Sequence, residues 1–216
     1  MAMFVNSSRR RLELENAAFA RSIPRNAWVL DAGCGEAPYR VLFPHCFYES
    51  ADFCSANRNY VKPTYECDLA HIPVKNNRYD AVLFNQVMEH LPEPAKVLAE
   101  LYRVMKPGAR MIYTAPLFFE PHEEPYDFYR YTQHGARHLL ETAGFEVERM
   151  DWLEGYFGTV AYQMTCMAKY LPWAFAPIKI TAAAGAALFH WLEMRWKYTG
   201  AGHPKNYVAV VRKVGK

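Results

Sequence analysis

A short apolar segment that leads into a glycine-bearing turn constrains the fold of this chain more than any other feature. Residues 28–39 read WVLDAGCGEAPY, in which three apolar residues precede Asp31 and the turn carries Gly33 and Gly35. Open α/β sheets use such a strand and turn to present backbone N–H groups to a nucleotide-like ligand, which glycine allows to approach closely. Ala37 stands where the dinucleotide-binding pattern has its third glycine, which argues against a pyrophosphate-binding dehydrogenase.

An acidic residue follows the second predicted strand at the distance expected for ribose recognition. Residues 47–52, FYESAD, read as a strand, and Asp52 lies 21 residues after Asp31. A carboxylate at the end of that strand can accept hydrogen bonds from a ribose diol. The alternative is a helix cap or a turn aspartate, and the spacing favours ribose binding.

Apolar periodicity predicts alternating strands and helices along most of the chain. Residues 79–85, YDAVLFN, form an apolar run typical of a parallel strand that is buried on both faces. Residues 94–105 show apolar side chains at helical spacing after Pro94. The alternation predicts an α/β fold with a parallel, doubly wound sheet. Further strands are predicted at 28–31, 64–68, 111–115, 145–152 and 206–213, and further helices at 8–22 and 133–143.

Composition bears on the compartment and on the ligand. The chain has five cysteines and no C-x-x-C pair, which disfavours a disulfide framework or a zinc site and favours a reducing cytoplasm. The first 16 residues contain no apolar run long enough for a signal peptide. Residues 26–150 carry 12 basic and 17 acidic residues, a net charge of −5 that suits a cationic ligand, although solvated surface charge is the simpler interpretation.

Several motifs in order resemble one family. The chain resembles the S-adenosylmethionine-dependent methyltransferases of Rossmann-like fold, above all the group called type 11. The motifs that carry the resemblance are, in order, VLDAGCGEAPY, Asp52, CDLAHIPVKNNRYDAVLFNQVMEHL and VLAELYRVMKPGARMIYTAP. The resemblance covers 27–154, and residues 206–213 match the family's antiparallel last strand. It implies a mostly parallel seven-stranded sheet with a helical insert before that strand. Residues 122–132, HEEPYDFYRYT, further resemble small bacterial members found with glycan and lipopolysaccharide biosynthesis.

The expected organisation follows from this resemblance. An N-terminal helix occupies 1–25, the S-adenosylmethionine-binding core 26–155, an apolar helical insert 156–205 and the final core strand 206–216.

The resemblance also implies a cofactor, S-adenosyl-L-methionine, and a set of contacts to it. Asp31 would hold the methionyl amino group, Asp52 the ribose hydroxyls and Phe53 the face of the adenine ring. Asp68 would reach the adenine amino group, or else merely cap its own loop. The other implied cofactor contacts are Ala32, Gly33, Cys34, Gly35, Leu69, Asn85 and Gln86.

Methyl transfer from a sulfonium requires chiefly that the acceptor be placed in line with the S–CH₃ bond. A hydroxyl acceptor also benefits from a base, for which His122 is the first candidate; the alternative is a loop histidine paired with Glu123 or Glu124. We expect no metal, because Asn85 offers no carboxylate where a Mg²⁺-dependent enzyme needs one. Tyrosine faces with an arginine fork suit a sugar or an anionic group on it. The predicted acceptor wall is Tyr126, Asp127, Tyr129, Arg130 and Tyr131, with Phe128 assigned to core packing and the Glu89–His90 pair to a structural role.

A long apolar insert, residues 156–196, precedes the last strand. Pro172, Pro177 and two lysines interrupt it, so that no uninterrupted run reaches the ~20 residues of a membrane-spanning helix. We expect two helices broken near 171–177. They could form a lid, a homodimer interface or, through 160–197, an aromatic and basic membrane-surface contact.

The resemblance, taken together with the composition, implies a cytoplasmic methyltransferase, peripheral at the inner membrane face if the insert binds lipid. It would act on a small-molecule or glycan-type acceptor, at oxygen, by in-line displacement. The absence of a basic central face and of a base-methylation motif argues against nucleic acid as the acceptor. Two alternatives stay open: a non-catalytic S-adenosylmethionine-binding protein and a nucleic-acid methyltransferase.

Overall fold

The computed structural model describes residues 6–54 and 61–215. The chain divides into two compact units. The larger unit comprises Glu15–Asp151 and Val208–Lys216, and the smaller one comprises Met1–Leu14 and Trp152–Tyr207.

A seven-stranded sheet forms the centre of the fold, with the strand order β3-β2-β1-β4-β5-β7-β6. The first five strands pair in parallel, whereas the end strands β7 and β6 bring antiparallel pairing, as predicted. The order reverses between β1 and β4, and ligands of open α/β sheets bind at such a switch point. The strands are β1 (Trp28–Ala32), β2 (Phe47–Asp52), β3 (Tyr65–Glu66), β4 (Tyr79–Asn85), β5 (Met105–Pro116), β6 (Phe145–Trp152) and β7 (Asn206–Lys213).

Five α-helices accompany these strands in the described part of the chain. In the second helix, Pro94 stands in the first turn and the apolar side chains at helical spacing are buried. The third helix begins at a Thr132 cap, whose hydroxyl accepts a hydrogen bond from the Gly135 N–H at 3.1 Å. The helices are α1 (Ser7–Arg21), α2 (Pro94–Val104), α3 (Gln133–Thr142), α4 (Tyr156–Tyr170) and α5 (Ala176–Arg195), with 3₁₀ turns at Arg40–Leu42, Met88–His90 and Trp173–Phe175.

The start of β5 differs from the sequence prediction. The strand begins at Met105, six residues before the predicted start, because Met105 pairs with Tyr79 of β4. The register then shifts before Ala81 pairs with Arg110, and Gly108 adopts a φ of +81° within the irregular stretch. Residues 106–110, which separate the predicted helix from the predicted strand, are therefore an irregularity inside the strand.

The buried Lys213 near the end of β7 fastens the core at that edge. Its ammonium donates hydrogen bonds to the backbone oxygens of Tyr102 and Met105 and to Asn77 Oδ1, each at 2.8 Å. Burial lowers the pKa of this lysine. The three oxygens would lose a shared donor if the ammonium were removed.

In the smaller unit, α4 and α5 pack together and break where predicted, at 171–175. Glu193 of α5 accepts hydrogen bonds from the N–H groups of Gly155 and Gly158 at 3.0 and 3.1 Å, and from Arg11 Nε at 3.2 Å. These contacts hold the start of α4 against α5.

One segment of the smaller unit meets a length and hydropathy criterion for a membrane-spanning helix, although Pro177 and Lys179 interrupt its apolar run as predicted. The helical stretch Trp173–Arg195, which comprises the 3₁₀ turn and α5, is long and apolar enough to cross a membrane, judged by length and composition only, and 17% of its most apolar window is buried. Since core helices and signal sequences meet the same criterion, this property alone carries little weight. Whether the insert serves as a lid stays a prediction.

Candidate cofactor and acceptor site

The turn after β1 has the geometry that its glycines predict. Gly33 and Gly35 adopt positive φ values of +75° and +51°. A Cβ on Gly33 would lie 2.4 Å from the side chain of Val87, so only glycine fits between the turn and the loop after β4. Ala37, where the dinucleotide pattern has glycine, also adopts a positive φ of +49°. Ala32 and Cys34, the predicted main-chain contacts, are buried beside the glycines.

Asp52 connects the end of β2 to this turn. Its Oδ2 accepts a hydrogen bond from the Gly35 N–H, and its Oδ1 accepts one from the Cys54 N–H, both at 2.9 Å. Each carboxylate oxygen retains a further acceptor site, because a carboxylate offers about four. The structure therefore places Asp52 beside the glycine turn, as the ribose-binding prediction requires.

Asp31 is almost fully buried and receives a short hydrogen bond from the hydroxyl of Tyr48 on β2. Burial raises the pKa of Asp31 to about 7, the Tyr48 hydrogen bond opposes this shift, and the negative charge of Asp52 adds to it. The sequence analysis did not identify Tyr48. The parallel pairing of β1 with β2 brings it near, and that pairing is a long-range feature.

Asn85 and Gln86 at the end of β4 belong to a polar network. Asn85 Nδ2 donates to Asn16 Oδ1 at 2.9 Å, and Thr114 Oγ1 donates to Asn85 Oδ1 at 3.0 Å. Gln86 Nε2 donates to Thr114 Oγ1 at 3.2 Å, and Gln86 adopts a φ of +56°. Asn16 and Thr114 were not predicted as part of the site. Their contacts fix the orientation of Asn85 at the carboxyl edge of the sheet.

The predicted adenine contacts have different surroundings. Phe53 exposes 62% of its surface, so its ring face is accessible to a planar ligand. Leu69 is buried, whereas Asp68 is exposed and its Oδ1 accepts a hydrogen bond from the Ala70 N–H at 2.9 Å. The loop-capping alternative for Asp68 is thus present, and its contact with adenine stays a prediction.

Asp127 makes hydrogen bonds that hold together the segment after β5. Its carboxylate accepts hydrogen bonds from the His122 N–H at 3.0 Å and from both terminal nitrogens of Arg130 at 2.6 and 2.8 Å. The Arg130 guanidinium lowers the pKa of Asp127 to about 2. Arg130 also donates to the carbonyls of Phe119 and Glu120. The guanidinium group of Arg130, which the sequence analysis assigns to the acceptor, therefore holds its own loop in place.

The tyrosines of the predicted acceptor wall divide into two groups. Tyr126 and Tyr129 are exposed. Tyr131 is buried, and its hydroxyl donates to the Met88 carbonyl at 3.2 Å. The prediction that Phe128 packs in the core is wrong, because 44% of its surface is exposed.

Glu89, on the 3₁₀ turn after β4, has a completely buried side chain. Its carbonyl accepts hydrogen bonds from the N–H groups of Phe128 and Tyr129 at 2.9 and 3.2 Å. Burial raises the pKa of its carboxyl group to about 8. Ligand-capable atoms of Glu89, His90 and His122 all lie within 4.8 Å of one another. The sequence directs attention only to Asn85 as a position for a metal ligand. This cluster cannot be read from the sequence, because it forms only where the segment after β5 approaches the 3₁₀ turn.

His122 has its Nδ1 3.2 Å from the Glu120 carbonyl oxygen and 3.6 Å from Asp127 Oδ2. Burial, followed by the proximity of His90, lowers the pKa of His122 below its ordinary value. The ring is therefore neutral at pH 7. Since a carbonyl only accepts, Nδ1 carries the hydrogen and Nε2 carries the lone pair.

Comparison with known proteins agrees with this geometry. Residues 30–113 match the methyltransferase domain family described as "Methyltransferase domain" and labelled type 11. A tRNA (carboxymethyluridine(34)-5-O)-methyltransferase of Arabidopsis thaliana is 33% identical over 108 residues, 45% of this chain and 26% of that protein. A protein of Mycolicibacterium smegmatis named "Probable S-adenosylmethionine-dependent methyltransferase" is 31% identical over 134 residues, 56% of this chain and 52% of that protein. The chain thus spans at most about half the length of these relatives.

A solved structure gives the fold over nearly the whole chain. Burkholderia thailandensis 1,6-didemethyltoxoflavin-N1-methyltransferase, solved with 1,6-didemethyltoxoflavin and S-adenosylhomocysteine, aligns with a TM-score of 0.59 at 15% identity. The alignment covers 97% of this chain and 79% of that structure. At this identity the likeness concerns the fold alone. Together with the family match and the glycine turn, it leads to one conclusion: the chain carries an S-adenosylmethionine-dependent methyltransferase domain of Rossmann-like fold.

Proposed function

We propose that this chain transfers the methyl group of S-adenosylmethionine to a hydroxyl group of a small-molecule or glycan-type acceptor. The observation that supports it best is the joining of Asp31, the glycine turn and Asp52 at the carboxyl ends of β1 and β2. A carboxylate beside this turn can pair with the ammonium of an amino acid tail, and one at the end of the second strand can accept hydrogen bonds from a ribose diol. When bound, the sulfonium supplies an activated methyl group.

In this proposal the chain's residues bind and orient. Asp31 pairs with the methionyl ammonium, Asp52 accepts hydrogen bonds from the ribose diol, and Phe53 covers the adenine. The turn at Gly33 and Gly35 presents backbone groups to the methionine moiety. Main-chain atoms of Ala32 and Cys34, with Asp68, Leu69, Asn85 and Gln86, complete the proposed contacts.

The acceptor would lie against the segment after β5. Exposed tyrosine faces at 126 and 129 suit the apolar face of a sugar ring. His122 offers an unprotonated Nε2 that can take the proton of a hydroxyl, because its Nδ1 is held by the Glu120 carbonyl. Asp127 accepts hydrogen bonds from the His122 N–H and from Arg130, and these contacts hold the histidine in place. The Tyr131 hydroxyl donates to the Met88 carbonyl and so supports the 3₁₀ turn.

Calorimetric titration with S-adenosylmethionine and S-adenosylhomocysteine tests the cofactor site. We expect micromolar binding by the wild type and its loss in Asp52→Ala, since both the ribose contact and the tether to Gly35 disappear. Asp151→Ala, which removes an exposed carboxylate, is the matched control and should bind as the wild type does. A wild-type protein with an intact circular dichroism spectrum that binds neither compound would refute the proposal.

The acceptor screen that follows distinguishes two alternatives. The similarity to the tRNA methyltransferase of Arabidopsis thaliana makes tRNA one arm of the screen. Residues 120–130 carry four acidic residues, Glu120, Glu123, Glu124 and Asp127, and one basic residue, Arg130. This net negative charge favours an uncharged or cationic acceptor over a polyanion. Cofactor binding without methylation of glycans, lipid-linked sugars, small hydroxyl compounds or tRNA would favour a non-catalytic binding protein.

We further propose that the insert contacts an anionic membrane surface and makes the protein peripheral at the cytoplasmic face. Trp173 exposes 78% of its surface, and Lys179 Nζ lies 5.2 Å from its ring centroid. Arg195 is placed similarly over Trp191, at 5.7 Å. Aromatic rings beside basic groups are typical of interfacial anchors. Residues 151–216 carry eight basic and three acidic residues, which suits anionic lipid; a homodimer through the same face is the other outcome of the test given below.

A further inference from the structure

We propose that Glu89, His90 and His122 bind a divalent transition-metal cation that holds the acceptor hydroxyl. Their ligand-capable atoms lie within 4.8 Å of one another, all in the larger unit. The role for the acceptor rests on the proposed function, whereas the metal site itself rests on geometry alone.

The first argument is the state of the Glu89 carboxylate. The side chain is completely buried, and neither Oε1 nor Oε2 has a hydrogen-bond partner among the described residues. Buried polar atoms are nearly always satisfied, because leaving them unpaired costs free energy. The His90 Nε2 lies 3.9 Å from Oε1, beyond hydrogen-bond distance. A cation between these groups would satisfy the carboxylate.

The second argument is the orientation of the two imidazoles. The His90 Nδ1 lies 2.7 Å from the Tyr126 carbonyl oxygen, and the His122 Nδ1 lies 3.2 Å from the Glu120 carbonyl oxygen. Both Nδ1 atoms therefore donate, and both Nε2 atoms keep their lone pairs. Metal-binding histidines are held in this way, with the second nitrogen donating to a carbonyl or carboxylate. The rings meet edge to face, with centroids 4.6 Å apart.

The third argument concerns the closing distance and the surrounding charge. Ligand atoms around Zn²⁺ at about 2.0–2.1 Å lie about 3.3 Å apart in a tetrahedron. The cluster must therefore contract by at most about 1.5 Å. The positive charge of Arg130 is paired with Asp127, whose carboxylate accepts hydrogen bonds from both terminal guanidinium nitrogens at 2.6 and 2.8 Å. Glu123 Oε2 lies 3.8 Å from His90 Nε2 and adds negative charge to the cluster.

The donor set selects the class of metal. Two imidazole nitrogens and a carboxylate suit Zn²⁺, Co²⁺, Fe²⁺ or Mn²⁺, whereas Mg²⁺ and Ca²⁺ prefer oxygen ligands. Three protein ligands leave at least one position open for a hydroxyl oxygen. This arrangement corresponds to catalytic rather than structural sites.

A cation in this position would lower the pKa of a bound hydroxyl, as zinc does for water. His122 would then be a metal ligand, and the hydroxyl proton would leave to water. The resulting alkoxide forms the O–CH₃ bond while the CH₃–S bond breaks and its electron pair returns to the sulfur, which becomes a neutral thioether.

Calorimetric titration of the chelator-treated protein with Zn²⁺, and absorption spectroscopy with Co²⁺, test the site. We expect one equivalent to bind, with visible Co²⁺ bands that report the ligand set. Glu89→Gln and His122→Ala should each weaken Zn²⁺ binding at least tenfold and abolish the Co²⁺ spectrum. His138→Ala, which removes an exposed histidine on α3, is the matched control and should leave both unchanged.

Circular dichroism and S-adenosylhomocysteine binding, measured on the same samples, separate misfolding from loss of ligands. Equal Zn²⁺ affinity in the wild type and Glu89→Gln, or no saturable binding by a wild type that binds S-adenosylhomocysteine, would overturn the inference. Zn²⁺ binding that is lost in both folded variants would support it, even if S-adenosylhomocysteine fails to bind. That last result would refute the proposed function and leave the metal site standing.

Discussion

Replacing Asp31 with asparagine should stabilise the cofactor-free protein above pH 7. The carboxyl group is 3% exposed, and burial raises its pKa from the ordinary 3.8 to about 7. The folded state therefore holds this proton more tightly than the unfolded state does. Between about pH 4 and 7 the unfolded chain binds fewer protons, so the free energy of unfolding falls as the pH rises and is constant above that range.

The size of the effect follows from the displacement of the pKa. About three pKa units correspond to about 4 kcal/mol at pH 8, which is an upper bound. Asparagine carries no charge, and its amide oxygen can still accept the hydrogen bond of Tyr48. We expect the variant's free energy of unfolding to exceed that of the wild type by about 2–4 kcal/mol at pH 8 and by about 1.5 kcal/mol at pH 5.

Urea denaturation followed by circular dichroism at pH 5 and pH 8 measures this difference. Asp151→Asn removes an exposed carboxylate and should change stability by less than about 0.5 kcal/mol at either pH. A difference between Asp31→Asn and the wild type that does not depend on pH would refute the reasoning. So would a variant that is less stable at pH 8.

The affinity for the cofactor should rise with pH over the range in which the free energy of unfolding falls. If Asp31 pairs with the methionyl ammonium, the ligand favours the ionised carboxylate, and wild-type affinity should rise by up to tenfold per unit between pH 5 and 7. Asp31→Asn should bind more weakly and without this pH dependence. Calorimetry over that range checks both expectations, and a wild-type affinity that is flat with pH would contradict the pairing.

Two further predictions use matched pairs of variants, and a third uses a double variant of the insert. Gly33→Ala should lower the free energy of unfolding by about 2–4 kcal/mol because its Cβ meets Val87, whereas Gly108→Ala, with a similar φ and open space, should cost about 1–2 kcal/mol in the same denaturation assay. Lys213→Met should cost about 2–4 kcal/mol by removing the donor of three hydrogen bonds, and the exposed Arg212→Met less than about 1 kcal/mol. A double Trp173→Ala, Trp191→Ala variant should lose the co-flotation with anionic vesicles that we expect of the wild type. A wild-type protein that does not bind these vesicles and is dimeric by light scattering would contradict membrane contact.

The order and type of the main elements could be predicted because each has a local signal. The continuous apolar run of β4 and the helical spacing after Pro94 depend only on neighbouring residues. The start of β5 could not be predicted, because Met105 joins the strand through its pairing with Tyr79. Long-range pairing thus overrides the local turn signal of the KPGAR sequence.

The candidate site divides in the same way. Gly33 and Asp52 occupy positions that spacing alone identifies, since a tight turn and an acid at a strand end leave a pattern in sequence. Tyr48, which sets the pKa of Asp31 together with burial, reaches it only through the register of β1 against β2. Glu89 meets His122 only because the segment after β5 returns to the 3₁₀ turn, where two N–H groups bind the Glu89 carbonyl. The ionisation of the site therefore depends on contacts between distant segments, and so do the reactions open to it, which is why sequence patterns locate the cofactor end more readily than the acceptor end.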